Sequence, residues 1–346
     1  MRTLLPGLVA GLFNILIIPL IIVVARKRHW FDKPDERKIH TNATARLGGF
    51  GIFWSFILAI VVLAPFSKSL RVGVLAYWPI LLAMLAIHLL GLLDDFFNLR
   101  ARIRFVVQMA AAVFVVAMGY RFSHLWLPGF GSVALGWLSW PLTVCWIVGV
   151  LNALNMIDGM DGLSGGITII AAFGYGLILL ERQADFPALM AFGLVGALAG
   201  FLFYNLPPAK IFMGDSGSTF LGFTLAVLPL MDTGHTASGT WLWGGATLLL
   251  IPIFDVFAAM LRRKRGGVPL MSPDKWHIHH KLMHFGFSTR AILAILYSLC
   301  ILVAIASMTV LVLPTFWYWV VTMASWAGVA IFFLILHYKK EKSLRS

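Results

Sequence analysis

Five short stretches of this chain gather residue types that can hold a cation or a phosphate. The first is the adjacent pair Asp94 and Asp95, followed by Asn98 and then Arg100, Arg102 and Arg104. Neighbouring carboxylates repel, so they gain from a cation, or one of them acts as a base with a raised pKa. A solvated helix end paired with the arginines would have the same residues. The second stretch places Asn152, Asn155, Asp158 and Asp161 at every third position. On a helix each step turns about 300°, so the four trace one slowly drifting stripe. Two amides and two carboxylates there suit a hydrated divalent cation or a polar ligand, or else a polar seam between helices. Gly159 and Gly162 are expected to open the backbone to a ligand.

The third stretch runs from Pro207, Pro208 and Lys210 to Gly214, Asp215, Ser216, Gly217 and Ser218. Small residues at a helix start make an anion site, and Asp215 can take a magnesium; the same run also makes an ordinary turn and N-cap. The fourth joins Arg262, Arg263, Lys264 and Arg265 to His277, His279 and His280. Soft ligands that would complete a zinc site are missing, whereas histidines and a basic run can both serve phosphate. The fifth carries Arg37, Lys38 and Arg46 between Asp32 and Gly49. It reads as a phosphate clamp at a membrane surface or as a plain basic loop.

The elements that must position these residues are membrane helices. Of 346 residues, 60% are hydrophobic and 12% charged, against roughly 25% charged in a soluble domain. Mean hydropathy is +0.90. A span needs about 20 mostly apolar residues, because each backbone polar group must be satisfied within the segment. Candidate spans fall at 4–25, 47–64, 73–93, 105–120, 140–157, 163–180, 187–204, 218–231, 240–260, 290–312 and 315–336. The expected fold is therefore an all-α polytopic bundle of about eleven transmembrane helices, one domain over 1–346.

With the N-terminus outside and the C-terminus inside, only Arg2, Lys68, Arg71, Arg121 and Arg182 of the 27 Lys and Arg residues lie outside. That asymmetry is what the positive-inside rule expects. All five stretches then fall on the cytoplasmic face, and of 14 acidic residues only Glu181, Asp185 and Asp232 do not. The first apolar run precedes its basic cluster and reads as an uncleaved span, not a signal peptide. The net charge of +13 suits anionic lipid headgroups and an anionic substrate, with no nucleic acid needed. Asp255, inside a span, either pairs with a basic neighbour or lines the site. His88 reads as a core histidine, Cys145 and Cys300 as core thiols, and Gly196 with Gly200 as a close helix contact.

Five cation- and phosphate-type stretches on one face form the layout of an enzyme acting on a phosphorylated cytosolic substrate and a membrane-embedded phosphate. In their order, and most specifically in Asn152–Leu163, Met213–Ser218 and His277–His280, they resemble the polyprenyl-phosphate N-acetylhexosamine-1-phosphate transferases, which initiate bacterial O-antigen and teichoic-acid synthesis. The resemblance runs from Asp32 to Gly286 and lies closer to the GlcNAc-type branch. It departs at Ala45, where members usually carry proline. It implies a bacterial plasma-membrane enzyme that moves a sugar 1-phosphate from a UDP-N-acetylhexosamine to undecaprenyl phosphate and releases UMP. GlcNAc leads as the sugar, with GalNAc, QuiNAc and FucNAc open.

It further implies a magnesium, or manganese, held by Asp215 with Asn155 near the metal or nucleotide. Asp94 or Asp95 would deprotonate or orient the lipid phosphate, with a covalent phosphosugar-aspartate as the competing scheme. Asp158 and Asp161, with Asn152, would shape the nucleotide and metal site. His277, His279, His280 and Arg265 would bind the donor, and Arg37, Lys38 and Arg46 the acceptor phosphate. A second copy of the chain is a candidate partner. A secondary transporter would place its charges near the midplane, often with inverted repeats; a CDP-alcohol phosphotransferase would need alanine and arginine in a run that here reads Asp161, Gly162, Leu163 and Ser164.

Overall fold

The computed structural model describes residues 3–28, 30, 44–128, 130–231, 236–237, 239–269 and 276–343. Its helices are α1 (Leu5–Arg28), α2 (Gly48–Leu63), α3 (Lys68–Ala76), α4 (Trp78–Phe97), α5 (Ala101–Ala117), α6 (Ser139–Ile157) and α7 (Leu163–Glu181). They continue as α8 (Asp185–Asn205), α9 (Asp215–Val227), α10 (Gly239–Leu248), α11 (Leu250–Arg265), α12 (Ile278–His284), α13 (Thr289–Met308) and α14 (Thr315–Ser343). Among the described residues, eight helical segments are long and apolar enough to cross a membrane, and the bent pair Leu242–Leu248 with Leu250–Arg265 makes nine when it is counted as one span. The chain is thus a polytopic α-helical membrane protein.

The structure redraws several expected boundaries. The single span expected at 240–260 is two helices bent by 83°. Pro252 has no N–H to give the Leu248 carbonyl, so the helical ladder breaks there. The span expected from residue 73 begins instead at Trp78, with Pro79 in the first turn, where a missing N–H costs nothing. Ahead of it α3 is a separate short helix capped by Ser67. The structure also adds an antiparallel hairpin, His124–Leu127 with Gly131–Ala134, to the expected all-α fold. Cys300 is buried as expected, but Cys145 is exposed on α6.

Lipid tails are as apolar as leucine, so helix association in a bilayer depends on close packing. The contact of α1 with α8 illustrates this: a Cβ on Gly196 would lie 1.8 Å from the Gly7 carbonyl oxygen, and one on Gly200 2.6 Å from that of Gly11. At the centre lies α9, buried from Ser216 to Val227 and flanked by α2, α4 and α6. At the end of the bundle where the hairpin lies, Trp126 stacks on Trp319 at 5.0 Å, and Trp243 Nε1 donates to the Trp126 carbonyl at 2.7 Å. The starts of α2, α7, α9 and α13 and the ends of α6 and α8 meet at the other end, around a cavity.

Candidate active site

The site is built on the N-terminus of α9. Gly214 turns the chain with φ +77°, and a Cβ there would lie 2.8 Å from both Asp95 carboxylate oxygens. Asp95 Oδ1 accepts the Asp215 N–H at 2.7 Å and Oδ2 accepts the Ser216 N–H at 3.0 Å. An anion at this pole satisfies two orphan donors and complements the helix dipole. Asp94, one residue earlier on α4, turns elsewhere. It accepts the Leu99 N–H at 2.7 Å and pairs with the Arg104 guanidinium, which lies 3.8 Å from Asp215 Oδ1.

Arg46 arrives by backbone pairing. Phe212 donates to the Ala45 carbonyl at 2.8 Å, and Gly48 and Gly49 donate to Phe212 and Met213 at 2.9 and 2.7 Å. The approach needs glycine: a Cβ on Gly49 would lie 2.1 Å from the Gly217 nitrogen.

The amide and carboxylate stripe divides. Asn152 Nδ2 donates to Gln108 Oε1 at 2.9 Å and to its own helix at the Val148 carbonyl, so it joins α6 to α5 and does not line the cavity. Asn155 Oδ1 accepts the Ser218 hydroxyl at 2.7 Å, and both residues line the cavity. The helix then ends, and Asp158 stands just beyond it with φ −76° and ψ 60°. Burial, reinforced by the charges of Asp215, Asp95 and Asp161 and opposed by Arg46, pushes the Asp158 carboxyl up to about 8. Asp161 is buried, and its Oδ2 accepts the Ala209 N–H at 3.0 Å, which ties this loop to the one that follows α8.

The histidines also separate. Asp255 is 1% exposed; it accepts His277 Nδ1 at 2.7 Å and the Ile278 N–H at 2.9 Å. The intramembrane carboxylate therefore anchors the start of α12. His279 is buried with neither ring nitrogen partnered among the described residues, and a Cβ on Gly159 would lie 2.6 Å from its Nε2. Burial, with the neighbouring His280 and His277, pushes His279 down to about 3, opposed by Asp255. It is neutral at pH 7 and brings no positive charge to a phosphate. His280 lines the cavity. Arg265 is exposed at the end of α11, apart from the lining, and Arg37 and Lys38 lie outside the described residues.

The cavity measures about 750 Å³, within the usual range for a small-molecule site. One wall carries Asn155, Asp158, Asp161 and Asp215, and Arg46, His280 and Arg290 supply positive or protonatable groups. Asp94, Asp95, His277 and His279 do not line the cavity. Arg104 and Ser218 stand in the motifs that the sequence offers, Arg104 as a partner for the paired aspartates, whereas sequence reasoning passed over Asn205 and Arg290: Arg290 counted only as a charge near a span end, and Asn205 gives no local signal. Among the described residues no three His, Cys, Asp or Glu side chains converge as a complete metal cage. The oxygen donors of Asp215, Asn155 and Asp158 nevertheless fit a hard cation that takes one or two carboxylates and fills its shell with water and substrate phosphate.

Residues 77–232 match the family model described as glycosyl transferase family 4. The chain is 33% identical, over 89% of its length and 85% of the relative's, to the probable undecaprenyl-phosphate N-acetylglucosaminyl 1-phosphate transferase of Bacillus subtilis (strain 168). It is 33% identical to the decaprenyl-phosphate N-acetylglucosaminephosphotransferase of Mycobacterium leprae (strain TN), covering 84% of this chain and 79% of that one. To the undecaprenyl-phosphate alpha-N-acetylglucosaminyl 1-phosphate transferase of Escherichia coli (strain K12) it is 31% identical, covering 81% and 76%.

Proposed function

This chain belongs to the family of polyprenyl-phosphate N-acetylglucosamine-1-phosphate transferases, and from that premise we propose that it takes GlcNAc 1-phosphate from UDP-GlcNAc, passes it to undecaprenyl phosphate and releases UMP. It is an enzyme that transfers a sugar phosphate to a polyprenyl phosphate. The observation that carries the finer reading is the cavity, where Asp215, Asn155 and Asp158 face the same space as Arg46, His280 and Arg290. A sugar nucleotide carries a diphosphate, whose charge basic side chains and a cation held by carboxylates can together neutralise.

The proposed cofactor is magnesium, held by Asp215 with Asn155 and Asp158 beside it. When bound, it neutralises charge on the donor diphosphate. Arg46, at the membrane end of its loop, draws in the acceptor phosphate together with Arg37 and Lys38. His280 and Arg290 hold the nucleotide phosphates. An acceptor phosphate oxygen attacks the phosphorus that bears the sugar. The bond from that phosphorus to the bridging oxygen breaks, and UMP leaves with the oxygen and its electron pair. Catalysis of this kind is mostly positioning and charge neutralisation.

Direct attack is favoured over an aspartyl intermediate. Both Asp95 oxygens already accept backbone N–H groups, and those of Asp94 accept Leu99 and Arg104. Each of the four oxygens thus accepts a hydrogen bond, which makes it a poorer nucleophile, and neither carboxylate lines the cavity.

The proposed setting is a bacterial plasma membrane with the cavity facing the cytoplasm. Eleven spans over a single domain result if α5 and α9 cross with the nine long segments; a homodimer is the proposed assembly. The test is a donor panel in which purified protein, undecaprenyl phosphate and magnesium meet each UDP-N-acetylhexosamine while UMP is measured. UDP-GlcNAc should be the best substrate, and excess chelator should abolish turnover. Full activity in chelator, or preference for another sugar, counts against this reading.

A further inference from the structure

Gly162 is gripped from two sides. Its N–H donates to Asn205 Oδ1 at 2.9 Å, and its carbonyl accepts the Tyr297 hydroxyl at 2.5 Å. The gripping side chains come from different helices, α8 and α13. Asn205 is itself anchored, because its Nδ2 donates to the Ile211 carbonyl at 2.8 Å. The Gly162 carbonyl also accepts the Gly166 N–H at 3.0 Å as α7 begins. The carbonyl therefore accepts two hydrogen bonds, one from the start of its own helix and one from α13.

Tyr297 reaches the carbonyl through a gap. A Cβ on Gly166 would lie 2.1 Å from the phenol oxygen. Gly162 sits at φ +77°, in the left-handed region that only glycine adopts readily. The exit of the Asp158–Gly162 loop is thereby pinned. Upstream, Asp161 ties the loop to Ala209. Seven residues before Tyr297, and hence on the same face of α13, Arg290 lines the cavity. One helix thus borders the cavity with its first turn and grips the carboxylate loop two turns later.

We propose that Tyr297 is a positioning residue, with Asn205 as its counterpart across Gly162, and that together they aim Asp158 into the cavity. This rests on the reading of the cavity as the sugar-nucleotide site. Tyr297 does not line the cavity, so it acts through the loop and not on the substrate.

The test uses the full-length protein with UDP-GlcNAc, undecaprenyl phosphate and magnesium. Tyr297→Phe removes the hydroxyl alone; kcat should fall about tenfold, as misplacement of a reacting group does. KM for the lipid acceptor should stay unchanged, and Tm should shift by less than about 2 °C. Gly166→Ala displaces the hydroxyl and should give a similar loss. The double variant should be no worse than the poorer single, since both remove one contact. If Gly166→Ala does not fold, Tyr297→Phe decides alone. Wild-type kcat in Tyr297→Phe, multiplied losses in the double variant, or a loss that vanishes on normalising to folded protein would each overturn the proposal. Asp158→Asn separates the two readings. Full activity in that variant removes the cavity assignment, whereas an inactive Asp158→Asn beside an unimpaired Tyr297→Phe removes the clamp alone.

Discussion

The Asp95 carboxylate accepts the backbone N–H of Asp215 at 2.7 Å although 120 residues of chain separate them. The last turn of α4 and the first turn of α9 are therefore one unit. The backbone at Asp215 is held by a carboxylate that does not itself line the cavity. The two acidic residues stand close in a bundle poor in charge, Asp95 facing two helix N–H groups and Asp215 facing the cavity with the Arg104 guanidinium 3.8 Å from its Oδ1.

Asp95→Asn should expose that dependence. An amide offers one acceptor oxygen and turns its NH₂ toward the second N–H, so one bond is lost and one contact becomes repulsive. Turnover should fall about a hundredfold, and the magnesium concentration needed for half-maximal rate should rise. A magnesium titration of purified variant and wild type checks this. An unchanged half-point would mean that Asp95 does not place Asp215.

Asp158 makes stability depend on pH. Its carboxyl is pushed up to about 8 from an ordinary value of 3.8, so between those values the folded chain holds a proton there that the unfolded chain has lost. Stability contributed by this group is present at low pH and falls as pH rises through that window. In chelator, Tm of the wild type should drop between about pH 5.5 and about pH 8.5 by more than that of Asp158→Asn. Added magnesium should recover the wild type at the upper end, because the cation takes the place of the proton. Parallel curves for the two proteins would refute the assignment.

Orientation is open to labelling. In a background with Cys145 and Cys300 replaced by alanine, Lys68→Cys and Arg265→Cys place single thiols at exposed positions. A membrane-impermeant maleimide applied to intact cells should label the first and spare the second. Labelling of both from outside would contradict a cytoplasmic cavity.

Direct attack and an aspartyl intermediate differ in what happens without acceptor. Rigorously lipid-free protein should neither release UMP in a burst nor exchange labelled UMP into UDP-GlcNAc. Exchange that disappears in Asp94→Asn or Asp95→Asn would show a covalent intermediate.

Much of this protein is legible in its amino-acid sequence. The apolar runs announced a polytopic helical bundle, because a chain that cannot hydrogen-bond to lipid must satisfy its backbone within each span. The order of the motifs pointed to the polyprenyl-phosphate sugar-1-phosphate transferases, and relatives at 31–33% identity bear that out. Gly196 and Gly200 were read as a close helix contact, and the structure sets them on Gly7 and Gly11.

Only the tertiary structure decided which member of each motif reaches the cavity. Asn152 and Asn155 look equivalent in the stripe, yet one joins α5 while the other meets Ser218, because a period of three drifts around a helix of 3.6 residues per turn. Asp94 and Asp95 are neighbours in sequence, but successive helical positions point about 100° apart, so they serve Arg104 and α9. Asp255 anchors His277, and Tyr297 holds Gly162 across 135 residues. Sequence spacing fixes directions within one helix. Which helices lie against it is a property of packing among all of them, and that alone turned a face of suitable residues into a site.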